Sequence, residues 1–328
     1  MEIKNREDTI SNIASYYLIN PNTLRRHFRK NTSGFATWGQ KEHCEDYLIF
    51  PKNTGPLLSI DEVSLSKGEL YTFVTNKEGR GKKGSMVACV KGTLAKDITD
   101  VLQLLPLEAR NKVEEVTLDM ANNMELAAKT SFPKATLVTD RFHVVRLALD
   151  ALQHLRIKHR WEAIDRENEA ISDAKEKNET YQPELLSNGD TVKQLLARSR
   201  YIIAKKATKW TENQCKRADL LFQQFPDLKK AYEHIMEFRN VYEEQIKSTA
   251  KTKLIRWLEK TNRLNINVFN SVSNTIQNNF DNIMAFFNNR NTNANAESFN
   301  AKIKLFRANL RGVDDTQFFL FRLTHLFA

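Results

Sequence analysis

The sequence predicts an α/β fold that is interrupted by a long helical segment. Between residues 57 and 140, short apolar runs and helical periodicity follow the order strand, strand, strand, helix, strand, helix, strand. This order is typical of a mixed sheet covered by helices, here with five strands. No strand pattern appears between residues 144 and 288, where Lys, Glu, Leu and Ala dominate, and this segment is therefore expected to be all-helical.

Two short helices are predicted ahead of the sheet, between residues 8 and 30. Apolar residues recur at helical spacing on both sides of Asn20 and Pro21. Asn20 suits an N-cap, and Pro21 suits the first helical position because its missing amide has no helical partner there. The pair predicts a partial helix-turn-helix with a basic second helix, although a solvated basic helix remains the alternative.

The charge balance favours a polyanionic partner. The 328 residues include 50 Lys and Arg against 40 Asp and Glu, a net charge of +10, which makes nucleic acid the first candidate. No apolar run approaches the roughly 18 residues of a membrane span, and the amino-terminal residues lack the apolar core of a secretory signal, so a cytoplasmic protein without a membrane partner is expected. Three scattered cysteines, Cys44, Cys89 and Cys215, exclude a disulfide framework and a clustered thiolate site, leaving oxygen ligands for any metal.

The pattern changes along the chain predict four regions. A polar stretch with Pro and Gly near residues 178 to 190 predicts a loop within the helical segment, and Gly312 is placed to end a last helix that starts near residue 294. The expected regions are 1–50 (helix-turn-helix and linker), 51–145 (first part of the α/β domain), 146–288 (helical insertion) and 289–328 (final helices).

Three of the five predicted strands end in aspartate: Asp61, Asp119 and Asp140. Carboxylates at strand ends are held rigidly and can bind Mg²⁺, which prefers oxygen ligands. Asp also starts turns and caps helices, so each residue alone is weak evidence. Glu62 should point to the other side of its strand from Asp61.

The last predicted helix carries a further carboxylate, Glu297. Its apolar face is formed by Phe299, Ile303, Phe306 and Leu310, whereas Glu297 shares the opposite face with Ala294, Ala301 and Ala308. An acid among small side chains can approach a sheet or a nucleic-acid backbone. Glu297 is alternatively a first-turn acid that complements the helix dipole.

Three segments, in this order and at these distances, carry a resemblance to a known family: SIDEVS, TLDMANNMELAAKTSFPKATLVTDRFHVVRLALDAL and NANAESFNAKIKLFRANLRG. They closely resemble the DDE transposases of bacterial insertion sequences, of the ISL-three type, over nearly the whole chain. The resemblance implies a ribonuclease-H-like catalytic domain, a helical insertion before the helix that bears the Glu, and two divalent metal ions.

By this resemblance, Asp61, Asp119 and Glu297 are the catalytic, metal-binding carboxylates for two Mg²⁺ (or Mn²⁺) ions. Asp119 is chosen over Asp140 because the second carboxylate of such folds follows the fourth strand, which VEEVTLDM forms in this count. Asp140 and His143 then form a supporting motif, although His143 alone could be a structural histidine. No small-molecule cofactor is expected.

Candidate DNA contacts follow from the basic helices. Early residues of the second helix suit base edges, later cations suit phosphates, and a basic stretch from residue 193 to 217 with Tyr201 and Trp210 suits backbone tracking, although it could be a solvated face. Trp257 could stack on a base, but helical tryptophans more often lie in the core. The candidate DNA-binding residues are Asn22, Thr23, Arg25, Arg26, Arg29, Lys205, Lys206, Lys209, Lys304 and Arg307.

The resulting prediction is a transposase that cuts phosphodiester bonds at insertion-sequence ends and joins the freed 3′-hydroxyls to target DNA. Its expected partners are double-stranded DNA of the element ends and the target, and a second copy of the chain in a synaptic dimer at the nucleoid. Two alternatives stay open: a nuclease or resolvase of the same fold without strand transfer, and a non-catalytic DNA-binding remnant that inhibits transposition.

Overall fold

The chain forms two compact units in the computed structural model, which describes residues 10–66, 68–264, 266–292 and 294–328. Unit 1 contains the chain up to Asp140 together with Asp281–Ala328, and unit 2 contains Arg141–Phe280. The chain therefore leaves unit 1 directly after Asp140 and returns to it at Asp281, one helix before the helix that bears Glu297.

Unit 1 is built on one six-stranded sheet with the strand order β1-β4-β3-β2-β5-β6. The strands are β1 (Tyr47–Ile49), β2 (Leu57–Ser66), β3 (Glu69–Asn76), β4 (Met86–Lys91), β5 (Glu115–Leu118) and β6 (Thr136–Thr139). The first four pair antiparallel, whereas β2, β5 and β6 run parallel. The prediction of five strands was wrong by one: β1 has only three residues, too few to show strand alternation, and pairs with the edge of β4.

Two helical layers cover the two faces of this sheet. On one face, α3 (Ala95–Leu102) and α5 (Asn122–Ser131) bury residues such as Leu58 and Ile60; the short helix α4 (Leu107–Asn111) lies between them in sequence. On the other face, α13 (Ala294–Asn309) and α14 (Thr316–Phe327) pack over Val63 and Leu65. Because β2 is buried on both faces, its alternation sends Asp61 to the same face as Val63, towards α13.

The predicted pattern of α13 is confirmed. Phe299, Ile303 and Phe306 are fully buried against the sheet, while Ala301 and Ala308 on the opposite face are exposed. The helix ends at Asn309, and Gly312 follows with a φ of 118°, a left-handed value that glycine adopts easily.

The amino-terminal helices α1 (Ile10–Tyr16) and α2 (Pro21–His27) form where the sequence predicts them. The side chain of Asn20 accepts hydrogen bonds from the amides of Asn22 and Thr23, which is the expected N-cap. Phe28, just after α2, packs edge-on against Phe318 of α14. This contact joins the segment that follows α2 to α14, the last helix of unit 1.

Unit 2 contains only helices among its described residues. The α-helices are α6 (Arg141–Glu176), α7 (Val192–Arg198), α8 (Glu212–Gln224), α9 (Pro226–Val241), α10 (Lys247–Leu264) and α11 (Val268–Asn278). The next helix, α12 (Phe280–Asn289), begins at Phe280, the last residue of unit 2. Trp257 is 3% exposed, stacks on His234 at 4.5 Å and donates from Nε1 to its carbonyl oxygen. Trp257 is thus a core residue, which excludes the alternative of base stacking in this conformation.

Two findings in the described residues concern disulfide bonds and membrane spans. The three cysteines are free. Within the described ranges, none of the helices has the length and apolar character that crossing a membrane requires.

Candidate active site

The prediction that Asp61 ends a strand was wrong: it lies in the middle of β2, which continues to Ser66 because it stays paired with β3, whereas Asp119 directly follows the end of β5. The parallel ladder of β2 and β5 ends with the pair of Ser59 and Thr117, and Asp61 and Asp119 each follow this pair by two residues. Neighbouring strands lie about 4.8 Å apart, and residues two apart share a face. Both carboxylates are half-buried, and Asp61 shares the face of Val63, which α13 covers.

Asp140 extends this row on the next strand. The register of β5 and β6 pairs Thr117 with Val138, and the amide of Asp140 donates to the carbonyl oxygen of Leu118 at 2.9 Å. Asp140 is only 2% exposed, whereas Asp119 remains half-buried. Of the two candidates for the second carboxylate, Asp119 is therefore the one that solvent reaches.

Asp119 also has a local structural role. Its Oδ1 accepts a hydrogen bond from the amide of Ala121 at 2.8 Å, which closes the turn into α5. This is the turn-forming alternative considered for a strand-end aspartate. A carboxylate has two oxygens, so this bond still leaves acceptor capacity for another ligand.

Asp61 is tied directly to α13 by Asn300. The Asn300 Nδ2 donates to Asp61 Oδ2 at 2.6 Å, and the amide of Glu62 donates to the other oxygen at 2.8 Å. Asn300 is 6% exposed, while Glu62 is exposed on the opposite face of β2, as expected. Sequence reasoning missed Asn300, although a polar side chain beside the apolar face of that helix was an available signal.

Glu297 lies one helical turn before Asn300. Side chains three residues apart on a helix have Cβ atoms about 5–6 Å apart, so Glu297 is held near the strand that bears Asp61. Its side chain is nevertheless exposed, on the same face as Ala301 and Lys304. Among the described residues, no three acidic, histidine or cysteine side chains are arranged to hold a metal ion. The structure thus places Asp61 and Asp119 two residues beyond the last pair of the β2–β5 ladder, and Glu297 on the helix that Asn300 ties to Asp61.

A buried ion pair that the sequence did not predict holds the residues around the start of α13. Lys77 Nζ lies 3.0 Å from Glu115 Oε1, with both side chains at most 6% exposed, and also donates to Thr117 Oγ1. The second oxygen of Glu115 accepts from Asn291, and the Lys77 carbonyl accepts from Asn295, both at 3.0 Å. Burial lowers the pKa of Lys77, while Glu115 and Asp140 oppose that change. This network holds the residues on both sides of the start of α13 against the sheet.

The basic residues of α13 divide into anchoring and exposed ones. Arg307 donates to the carbonyl oxygen of Ser64 at 2.8 Å, and Lys302 to that of Gly81 at 2.6 Å. Lys304 is exposed on the face of Glu297. Of the two predicted DNA contacts on this helix, Lys304 is therefore open to a ligand and Arg307 holds α13 on β2.

The predicted DNA contacts of α2 are exposed. Asn22, Thr23, Arg25 and Arg26 all face solvent. Arg29 forms an ion pair with Asp315 at 2.8 Å, which joins this region to the start of α14.

The basic stretch in unit 2 is mostly engaged within that unit. Lys206 pairs with Glu243 and donates to Asn240, while Lys205 and Lys209 are exposed. Four further cations of the stretch pair with acids of unit 2: Lys193, Arg198, Lys216 and Arg217. Its surface is thus less positive than its composition indicates.

The aromatic residues of this stretch and His143 also have defined places. Trp210 donates from its ring nitrogen to the carbonyl oxygen of Ile202 at 2.9 Å, whereas Tyr201 is exposed. His143 is half-buried in the first turn of α6, edge-on to Phe142 at 5.6 Å, and belongs to unit 2 rather than to the unit of the carboxylates.

Comparison with known proteins identifies the family. No solved structure matches this chain. It is 22% identical over 271 residues to the transposase for insertion sequence element IS1001 of Bordetella parapertussis, a match that covers 82% of this chain and 60% of that relative. The profile of the ISL3-type DDE family, described as transposase, matches residues 58–323, from β2 into α14. The chain therefore belongs to the ISL3-type family of DDE transposases.

Proposed function

We propose that this chain catalyses transposition of an insertion sequence, cutting phosphodiester bonds at the element ends and joining the freed 3′-hydroxyls to target DNA. The observation that carries the proposal is the hydrogen bond from Asn300, on the helix that bears Glu297, to Asp61, and the parallel pairing of β2 with β5 two residues before Asp61 and Asp119 supports it. Membership of the transposase family supports the same reaction class.

The donor set at this edge of the sheet fits a divalent metal ion. Asp61 and Asp119 supply carboxylate oxygens, the ligands that Mg²⁺ and Mn²⁺ prefer. Asp61, Asp119 and Glu297 would hold two such ions. When bound, these ions supply Lewis acidity, which activates a water or 3′-hydroxyl and stabilises the leaving oxygen.

The chain's own residues position this chemistry. Asn300 fixes one oxygen of Asp61, and the buried Lys77 network holds the approach to α13. Lys304 lies on the exposed face of Glu297, where a positive charge attracts the scissile phosphate. The protein thus acts mainly by orientation and electrostatics rather than by covalent catalysis.

DNA binding is proposed for exposed cations of both units. In unit 1, Arg25 and Arg26 of α2 and Lys304 of α13 are accessible, and in unit 2 Lys205 and Lys209 are accessible. A net charge of +10 favours this partner. We further propose that two copies of the chain pair two element ends at the nucleoid.

A cleavage and joining assay tests the proposal, with DNA that carries the element's own flanks and Mg²⁺ or Mn²⁺. Asp61→Asn, Asp119→Asn and Glu297→Gln should each lower cleavage by at least about 10²-fold, the scale of losing one transition-state contact. Glu62→Gln is the matched control, because Glu62 lies on the opposite face of β2, and it should cleave like the unaltered chain.

Two results would change the assignment. Full activity of Asp119→Asn together with loss in Asp140→Asn would show that Asp140 is the second carboxylate. Full activity of Glu297→Gln would remove α13 from the chemistry.

A non-catalytic DNA-binding remnant is the second candidate, favoured by the exposure of Glu297 and by the absence of a preassembled acidic trio among the described residues. DNA binding without cleavage under either metal would support it. Cleavage without joined products would instead support a nuclease.

A further inference from the structure

The loop that joins β3 to β4, residues 77–85, carries a cluster of exposed positive charge that is not among the predicted DNA contacts. Its exposed cations are Arg80, Lys82 and Lys83, which follow one another within four positions. None of the three forms an ion pair with another residue of the described ranges. The loop also exposes one acid, Glu78, so it presents 3 − 1 = +2 charges to solvent. We refer to residues 77–85 as the basic loop.

The backbone of the basic loop is closely constrained. The amide of Lys82 donates to the carbonyl oxygen of Gly79 at 2.9 Å, and the amide of Ser85 donates to that of Lys82 at 3.0 Å. A Cβ atom at Gly79 would lie 2.7 Å from the Cα of Ser85, so only glycine fits there without a shift. The loop therefore has a defined shape before a ligand arrives, which lowers the entropic cost of binding.

Arg80 has a backbone conformation that favours glycine. Its φ is 50° and its ψ is 38°, the left-handed region in which Cβ crowds the following carbonyl oxygen. Strained residues of this kind cluster at ligand-binding sites. The strained residue here carries an exposed guanidinium group, which binds phosphate oxygens through paired hydrogen bonds.

The basic loop is attached to the helix that bears Glu297. Lys302 Nζ donates to the carbonyl oxygen of Gly81 at 2.6 Å, and Asn295 Nδ2 donates to that of Lys77 at 3.0 Å. At a rise of 1.5 Å per residue, these two anchors lie about 3 Å before and about 7.5 Å after Glu297 along the helix axis. The loop is therefore held beside the first turns of α13, the part that carries Glu297.

We propose that the basic loop binds the phosphate backbone of a DNA strand whose scissile phosphate lies at the candidate active site, an inference that rests on the proposed function. Phosphates of one strand advance by about 3.4 Å along the duplex axis. A strand that reaches Glu297 thus has further phosphates beside the loop within about five nucleotides. Contacts of this kind fix the position of the DNA without reading its sequence.

Fluorescence anisotropy with a labelled duplex over a salt series is the first test. All three exposed cations of the basic loop are changed to glutamine together. The plot of log affinity against log salt concentration should become shallower by about 0.9 for each of the three lost contacts. The matched control makes the same change at three exposed lysines of the layer of α3, α4 and α5, which covers the opposite face of the sheet: Lys96, Lys112 and Lys134. Slopes of the two triple variants that differ by less than one contact, about 0.9, would overturn the proposal.

Arg80→Gly separates a binding role from a structural one. Glycine adopts a φ of 50° without strain, so this variant should melt at the same temperature as the unaltered protein or higher. Its salt slope should nevertheless be shallower by about 0.9, because one phosphate contact is lost. A lower melting temperature with an unchanged salt slope would show that Arg80 serves the loop structure alone, and would overturn its assignment as a phosphate ligand.

Photo-crosslinking then locates the strand on a duplex that carries the element end. Lys83→Cys and Ser298→Cys, the latter beside Glu297, each receive a crosslinker in a chain whose partly exposed cysteine, Cys215, is replaced by serine; the other two cysteines are buried. The two variants should mark nucleotides within about five positions of each other. An absent crosslink from either variant, or a wider separation, would overturn the proposed path of the strand.

These measurements do not use cleavage, so the two proposals can fail separately. A protein whose basic loop meets all three tests but cuts no DNA would refute the proposed function alone. A protein that cuts and joins DNA while its loop variants bind like the controls would refute the loop alone.

Discussion

Asn300→Ala tests whether α13 is fixed to β2 through Asp61. A hydrogen bond to a charged acceptor contributes about 1.5–3 kcal/mol. Water can replace part of it because Asp61 is half-buried, and Ala gains up to about 0.7 kcal/mol in helix propensity. We therefore expect the free energy of unfolding of unit 1 to fall by about 1–2 kcal/mol, the lower half of that range less the propensity gain.

Urea denaturation, with hydrogen exchange at β2 as the local readout, measures this loss. Asn309→Ala, an exposed change on the same helix, should stay within about 0.5 kcal/mol of the unaltered protein. A double-mutant cycle with Asp61→Ala isolates the bond itself, with a coupling energy of about 1 kcal/mol expected. Additive effects of the two substitutions would refute the contact and with it the proposed positioning of Asp61.

Three further predictions concern buried groups. Lys77→Met should cost about 3–5 kcal/mol in urea denaturation because it leaves Glu115 buried without its cation, and Glu115→Met in the same chain should recover most of the loss; no recovery would contradict the ion pair. Burial lowers the pKa of His234 from 6.5 to about 4, so between these pH values the unfolded state binds a proton that the folded state does not bind. The free energy of unfolding should therefore fall by about 1.4 kcal/mol for each unit that the pH is lowered from 6.5 towards 4. His234→Gln should abolish that slope in denaturation at several pH values. Phe299→Ala empties a fully buried site that contacts the Phe73 ring, and calorimetric melting should show a loss of about 3–5 kcal/mol, whereas a change below about 1 kcal/mol would mean that α13 does not pack as described.

Periodicity predicted most of the elements because they follow local rules. The apolar spacing from Phe299 to Phe306 gave the buried face of α13, and Asn20 with Pro21 gave the start of α2. Strand β1 was not predicted, because its three residues acquire strand geometry only by pairing with β4. The pattern of neighbouring residues does not reveal a pairing between segments that are far apart in the chain.

The site was predictable in part for the same reason. Aspartates that follow apolar runs were candidates because such residues often end strands, which is correct for Asp119 after β5 but wrong for Asp61, which lies within β2. Their relative position depends on the parallel pairing of β2 and β5, which are separated in the chain by two other strands. Asn300 and Lys77 gained importance only through partners far along the chain, Asp61 and Glu115.

The linear order of residues thus specifies charge, helical faces and the motifs that resemble a transposase, because each depends on neighbours a few positions away. Packing decides which of these features meet. It pairs Asp61 with Asn300, leaves Glu297 exposed, engages Arg29 with Asp315, and attaches the loop between β3 and β4 to α13. Such meetings follow from burying apolar surface in a shared core, a property of the whole folded unit that no local window contains.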